Sequence, residues 1–303
     1  MRGYLKQHPP LLQFITILGF YAGSIGVFLL LTALVTPKLT GYTAYDISVG
    51  VLTDPKFLRM QQWLQFFYST LTYLLPAAIF AYLWHPEPMR YLGLRTKASW
   101  IQVILTIVLF YCCLPFVGVL AEWNLHWDLP KAALEAQQRN EQMTKALLQM
   151  PTITDLVMNL VLMAIVPAIA EEVFFRGVFQ RIFINLTRLR WTGVLVTAII
   201  FAAMHFEMQA VLPRIALGFI LGTIFLVTGN LWLAILAHLI NNGMLVIQYY
   251  LFQHGYTKTD PAVEQGVTWY LGVASALVTV GLIWALMKRS PEPLEVEQAD
   301  TQR

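Results

Sequence analysis

The chain alternates between long runs without charge and short charged clusters, and the runs have the length of membrane-crossing helices. No Asp, Glu, Lys or Arg falls between Lys6 and Lys38, between Arg59 and Glu87, or between Lys97 and Glu122. A helix needs about 20 residues to cross a bilayer, so each gap predicts one span, with Pro76 and Pro115 kinking the second and third. Asp128-Leu129-Pro130 reads as a helix start. The polar stretch Lys131 to Gln149 then reads as a helix outside or along the membrane, ended by Pro151. A fourth span begins near Thr154 and keeps an apolar helical stripe past Phe174, Phe179 and Phe183 to about Thr187. Arg188-Leu189-Arg190 marks a turn, and a fifth span runs from about Trp191 to Phe206. The 43 uncharged residues between Arg214 and Lys258 are too many for one span, and Gly229-Asn230 divides them into two helices. The last span covers about Val267 to Met287. The pattern predicts an all-α, polytopic membrane bundle of about eight transmembrane helices. Residues 1–290 form a single integral-membrane domain, and residues 291–303 a charged, disordered tail.

Composition supports the same class. Charged residues make up 12% of the chain and hydrophobic ones 57%, whereas soluble domains carry about 25% charged residues. A formal charge of +3 is too small to point to nucleic acid. Cys112 and Cys113 are adjacent within an apolar span and read as helix packing rather than a disulfide or metal site. The first apolar segment lacks a small-residue cleavage site and reads as a retained span, not a signal peptide. The distribution of Lys and Arg favours both termini on the inner side of the membrane, here taken as a bacterial or archaeal plasma membrane.

Against this apolar background the stretch Val166 to Phe179, VPAIAEEVFFRGVF, stands out. It carries Glu171, Glu172 and Arg176 at membrane depth, where an ionisable group is costly unless it is paired or faces a wet cavity. Glu172 and Arg176 lie at i,i+4, an ion-pair spacing, which leaves Glu171 without a partner in its own segment. Further polar residues sit in the spans: His205 near the end of the fifth, and His238 with Asn242 at i,i+4 on the seventh, beside Asn241. Measured from the turn near residue 190 at about 1.5 Å per residue, Glu171 is about 28 Å deep, Arg176 about 21 Å and His205 about 22 Å. Measured from residue 230, His238 is about 12 Å deep and Asn242 about 18 Å. Both turns lie on the same side, so tilt brings these groups into one slab. Taken singly, each has a bland role: Glu172–Arg176 as a structural pair, Asn242 as interhelical glue, Phe201 as packing. Together they suit amide hydrolysis. A Glu beside a His can deprotonate water, and a second His with an Asn can donate to a developing oxyanion. The alternative is a Zn²⁺ ion held by Glu171, His205 and His238 that activates the water. No Ser or Cys is spaced to form a nucleophilic dyad with either His, and no H-E-x-x-H motif is present.

Glu171-Glu172-x-x-x-Arg176, Phe201-x-x-x-His205 and His238-x-x-x-Asn242 resemble, in order, the three motifs of the CPBP intramembrane proteases, the CAAX-protease and bacteriocin-processing (Abi) family that includes type II CAAX prenyl endopeptidases. The likeness covers about residues 155–250. It implies an endopeptidase acting on a membrane-associated peptide or protein in the lipid bilayer. It also implies that Glu171 and His205 activate water and that His238 and Asn242 form the oxyanion site. Asn is a poor zinc ligand, which favours glutamate-dependent hydrolysis over a metal in the water-activating step. Two readings from other classes compete: a non-catalytic immunity or scaffold protein that keeps the motifs for helix packing, and a proton-coupled transporter, which would usually show internal repeats.

Overall fold

The computed structural model describes residues 3–4, 8–51, 53–261, 266–290 and 294. The chain is helical throughout, with no strand among the described residues. In order it forms α1 (Pro10–Thr40), α2 (Pro55–Trp84), α3 (Trp100–Leu125), the polar α4 (Lys131–Leu147), α5 (Ile153–Thr187), α6 (Arg190–Ala203), α7 (Val211–Thr228), α8 (Leu231–Gln253) and α9 (Trp269–Lys288). Apart from α4 and α6, each is long and apolar enough to cross a membrane. The expected tail 291–303, apart from Leu294, and the N-terminal charges Arg2 and Lys6 lie outside the described residues.

Among the described residues, seven helices rather than eight therefore have spanning length. The expected fifth span is helical only over Arg190–Ala203, about 21 Å at 1.5 Å per residue against a hydrocarbon core of about 30 Å. Beyond it the chain turns through His205 and Phe206, whose φ of 55° leaves the right-handed helical region. α6 runs beside α5 and α7 without the length of a span. Gly3 N–H donates to Tyr82 O at 3.4 Å and Leu294 N–H to Leu226 O at 3.0 Å, so both ends of the described chain return to one end of the bundle. The α2–α3 and α7–α8 connections meet there too: Leu231 N–H donates to Gly93 O at 3.1 Å, and Asn230 Nδ2 to Thr96 O at 2.9 Å. Gly93 is required at this junction, because φ is 77° and a Cβ would lie 2.7 Å from Gly229 O. The expected turn at Gly229-Asn230 is present, with Gly229 left-handed and Asn230 Oδ1 capping α8 through Trp232 N–H.

Prolines in the spans are accommodated by local chemistry. A proline ring clashes with the carbonyl four residues earlier and removes a donor. In α2 a π-helical turn, Ser69–Leu74, directly precedes Leu75-Pro76, and in α5 the turn Leu160–Ile165 precedes Val166-Pro167. The wider turn relieves the clash. At Pro115 in α3 the solution is a side chain: Ser275 Oγ of α9 donates to Cys112 O at 2.5 Å and accepts from Phe116 N–H at 3.1 Å. The hydroxyl thus bridges Cys112 O and Phe116 N–H beside the proline, a way of supporting backbone groups next to a proline in a membrane.

The centre of the bundle is α5. Every residue from Val173 to Gln180 is buried, and Phe174 and Phe179 pack at 4.6 Å between centroids. The helix continues unbroken past the glutamate pair to Thr187, as its apolar stripe predicts. Ile153, Val157, Val161 and Ile165 leave one face of its first half exposed, whereas over Val173–Gln180 the side chains on every face meet protein. That is the condition for holding charge at this depth.

Candidate active site

Glu171 and Glu172 are adjacent on α5, and helical geometry turns them about 100° apart. Glu172 points into the packed interior. Its Oε1 accepts from Arg176 Nη1 at 2.5 Å, and both side chains are 0% exposed. Arg176 also donates through Nη2 to Gly218 O of α7 at 3.1 Å, and its guanidinium lies 4.6 Å from the centre of the Phe201 ring. The expected ion pair is thus present, clamped by α6 and α7. Glu171, 12% exposed, points instead to a cavity.

His238 of α8 lies between the two carboxylates. Its Nδ1 is 2.8 Å from Glu172 Oε1, and its Nε2 is 3.9 Å from Glu171 Oε2. A carboxylate accepts, so Nδ1 carries the proton and donates. His205 sits just past the end of α6, where its Nδ1 lies 2.8 Å from Phe201 O. A carbonyl can only accept, so this ring also spends its Nδ1–H on the protein. Both Nε2 atoms are left for other partners. Asn242, one turn after His238, accepts at Oδ1 from Asn241 Nδ2 at 3.1 Å, which leaves its own Nδ2 free to donate. Phe201 packs edge-on against both imidazoles, with centroids 4.8 Å from His205 and 6.0 Å from His238.

Glu171 of α5, His205 just past α6, and His238 and Asn242 of α8 line one cavity of about 300 Å³. Within it, Glu171 makes its closest histidine contact with His238. No hydrogen bond or ion pair joins Glu171 to His205 among the described residues. Three His, Cys, Asp or Glu side chains do not converge to hold a metal ion among the described residues. As placed, the set Glu171, His205 and His238 does not fit zinc, and the chemistry below uses none.

Two features of this cavity escape sequence reasoning. Arg214, which reads as a charge at a helix end, lines the cavity and is ion-paired to Glu207. Its signal is placement as the first charge before a long uncharged run, with an acidic residue seven positions earlier. Asn124 of α3 is wholly buried. It donates through Nδ2 to Met208 O at 3.0 Å and accepts from Leu212 N–H at 2.9 Å, fastening the segment that follows His205. Nothing in its local sequence marks it.

No curated protein and no solved structure matches the chain. One family model does, described as Type II CAAX prenyl endopeptidase Rce1-like, and it matches residues 153–244, the region that holds all three motifs. By that match, the part of the chain from α5 into α8 is similar to the Rce1-like type II CAAX prenyl endopeptidases.

Proposed function

We propose that the protein is an intramembrane endopeptidase that hydrolyses a peptide bond of a membrane-associated substrate with water activated by Glu171. The observation that carries this reading is the shared cavity: a carboxylate, two imidazoles with free Nε2 atoms and a free amide donor face one space at membrane depth. Glu171 takes a proton from a water held between it and Nε2 of His205, and the resulting hydroxide attacks the scissile carbonyl carbon. The developing oxyanion is met by Asn242 Nδ2 and by Nε2–H of His238. His238 can donate there only when both ring nitrogens are protonated, since Nδ1–H already serves Glu172. An imidazolium suits the site, because Glu171, Glu172, Arg176 and His238 then sum to zero charge in an apolar surround. On collapse the C–N bond breaks, and Glu171 returns its proton to the leaving amine.

The family's name makes a prenylated peptide with a C-terminal CAAX motif the first substrate to try. The test uses purified protein in liposomes with prenylated and unprenylated versions of one such peptide, and identifies products by mass spectrometry with and without a chelator. The reading expects one internal cut that is lost in Glu171→Gln and survives the chelator. Cleavage that persists in Glu171→Gln overturns it. Loss on chelation, restored by Zn²⁺, would assign the water to a metal instead.

A further inference from the structure

Glu172 makes all of its hydrogen bonds through one atom. Oε1 accepts from Arg176 Nη1 at 2.5 Å and from His238 Nδ1 at 2.8 Å, while Oε2 is buried without a partner among the described residues. If Glu172 served only to neutralise Arg176, its second oxygen could have been used and His238 left alone. Instead a chain runs from Gly218 O through Arg176 and Glu172 to the imidazole, and ends at Nε2 facing the cavity. The chain is held from three helices: Gly218 on α7, Arg176 and Glu172 on α5, His238 on α8.

We propose that Glu172 is a positioning residue for the reaction, acting through His238. It holds the Nδ1–H side of the ring and so aims Nε2 at the cavity, while Arg176 holds the carboxylate in place. This goes beyond a structural ion pair, and it rests on the hydrolytic reading above. The physical basis is general: a carboxylate bonded to Nδ1–H fixes the orientation of a working imidazole and stabilises its protonated form. Here the bonded oxygen is wholly buried, so water cannot substitute for it. Glu171, by contrast, touches the reacting water and is a catalytic residue under the same reading.

The test has a spectroscopic arm and a kinetic arm. Histidine side chains are labelled with ¹⁵N in the full-length protein in detergent, and His238→Gln identifies the His238 signals. The proposal expects Glu172→Gln to change the Nδ1 and Nε2 shifts of His238 and to leave those of the distant His126 unchanged. It expects kcat for peptide cleavage to fall by about 10- to 100-fold, the usual range for such supporting carboxylates, with KM changed less than about twofold. In a His238→Gln background, Glu172→Gln should cost nothing further, because the residue through which it acts is already gone. Glu172→Asp keeps a negative charge for Arg176 but draws the carboxylate back from the imidazole. It serves as a second variant if the Gln form folds poorly, and the same shift change and kcat loss are expected of it. Unchanged His238 shifts in both variants, or losses that multiply in the His238→Gln background, would overturn the proposal. If the wild type cleaves no peptide, the protease reading fails, and the nitrogen shifts still decide whether Glu172 sets the ring.

Discussion

Helices α1 and α7 look alike by composition and occupy opposite environments. Each has a most apolar window of mean hydropathy 2.2, yet 6% of that window is buried in α1 and 56% in α7, counted with the short turn before it. Both carry spaced glycines. In α1 a Cβ added at Gly19, Gly23 or Gly26 meets nothing within 4 Å. In α7 one at Gly218 would come within 3.2 Å of Ala198 and Phe201, and one at Gly222 within 2.7 Å of Gln180 Oε1. Gly222 of α7 lets Gln180 of α5 reach its carbonyl, with Nε2 to Gly222 O at 2.9 Å, while Gly218, whose carbonyl accepts from Arg176, lets α6 pack close. Hydropathy says that a helix sits in the membrane. The polar residues on its neighbours decide whether it sits at the centre.

The contrast predicts an order of sensitivity, read by reversible unfolding in detergent. The largest loss is expected for Arg176→Leu, which strands the carboxylate of Glu172 in the interior. Breaking a buried pair in this way costs about 3–5 kcal/mol. An equivalent removal at the exposed pairs that Glu87 makes with Arg90 and Arg95, in Glu87→Ala, should cost less than about 1 kcal/mol. If the two variants lose stability equally, the inner cluster is not what distinguishes the centre from the rim.

Next comes overpacking. Gly222→Val should lose about 1–3 kcal/mol, because its neighbours are Gln180 and Val194 and both are buried. Gly23→Val, in open space on α1, should leave the midpoint within error. Equal losses would mean that α1 is as tightly packed in the membrane as α7.

A smaller effect is expected for Ser275→Ala on the peripheral α9. Removing the hydroxyl leaves Phe116 N–H and Cys112 O beside Pro115 without their bridge, at a cost of about 1–3 kcal/mol for buried unsatisfied groups, at the low end here because the site is only partly buried. Ser275→Thr, which keeps the hydroxyl, should recover most of it. The smallest effect lies outside the membrane, where Tyr42 O–H donates to Asp54 at 2.5 Å. That bond, with the Lys56 N–H, holds the Asp54 carboxyl below its usual range and pushes the Tyr42 phenol up. A depressed carboxyl contributes stability above its unfolded pKa and loses it as pH falls through the folded one. A raised phenol contributes below its unfolded pKa and loses it as pH rises through the folded one. Tyr42→Phe should therefore move the Asp54 titration upward in a pH series followed by NMR, and an unmoved titration would show the contact to be absent in solution.

Much of this architecture is legible in the sequence because membrane segments obey two simple constraints, apolar length and turn chemistry. The charge gaps locate α1, α2 and α3, and Gly229-Asn230 marks the α7–α8 turn because a left-handed residue and a helix cap are both needed there. The stripe from Phe174 to Leu186 carries α5 past its glutamates, and that continuity makes the depth estimates work. The extent of α6 is not legible. Its apolar pattern runs on to Phe206, and the stop at Ala203 depends on where the chain must turn to meet α7. The gathering of Glu171, His205, His238 and Asn242 around one cavity follows from depth and helix face. The finer partnership does not: whether His238 bonds Glu172 or Glu171 depends on how α8 is rotated against α5, and no periodicity within one helix reports that. Arg214 is missed for a related reason, since a charge at the start of a span looks the same in sequence whether it faces headgroups or a cavity.

Under the proposed reaction the two neighbouring glutamates have separate tasks, Glu171 facing the water and Glu172 the protein. This division is tested most directly by measuring thermal midpoint and kcat together for Glu171→Gln, with the same peptide and the same liposomes as the wild type. Among the described residues Glu171 has no ion-pair partner except the long approach to His238, so a midpoint close to the wild-type value and no detectable cleavage are predicted. Cleavage at a rate near that of the wild type, or an inactive protein that has also lost its folded transition, would contradict it.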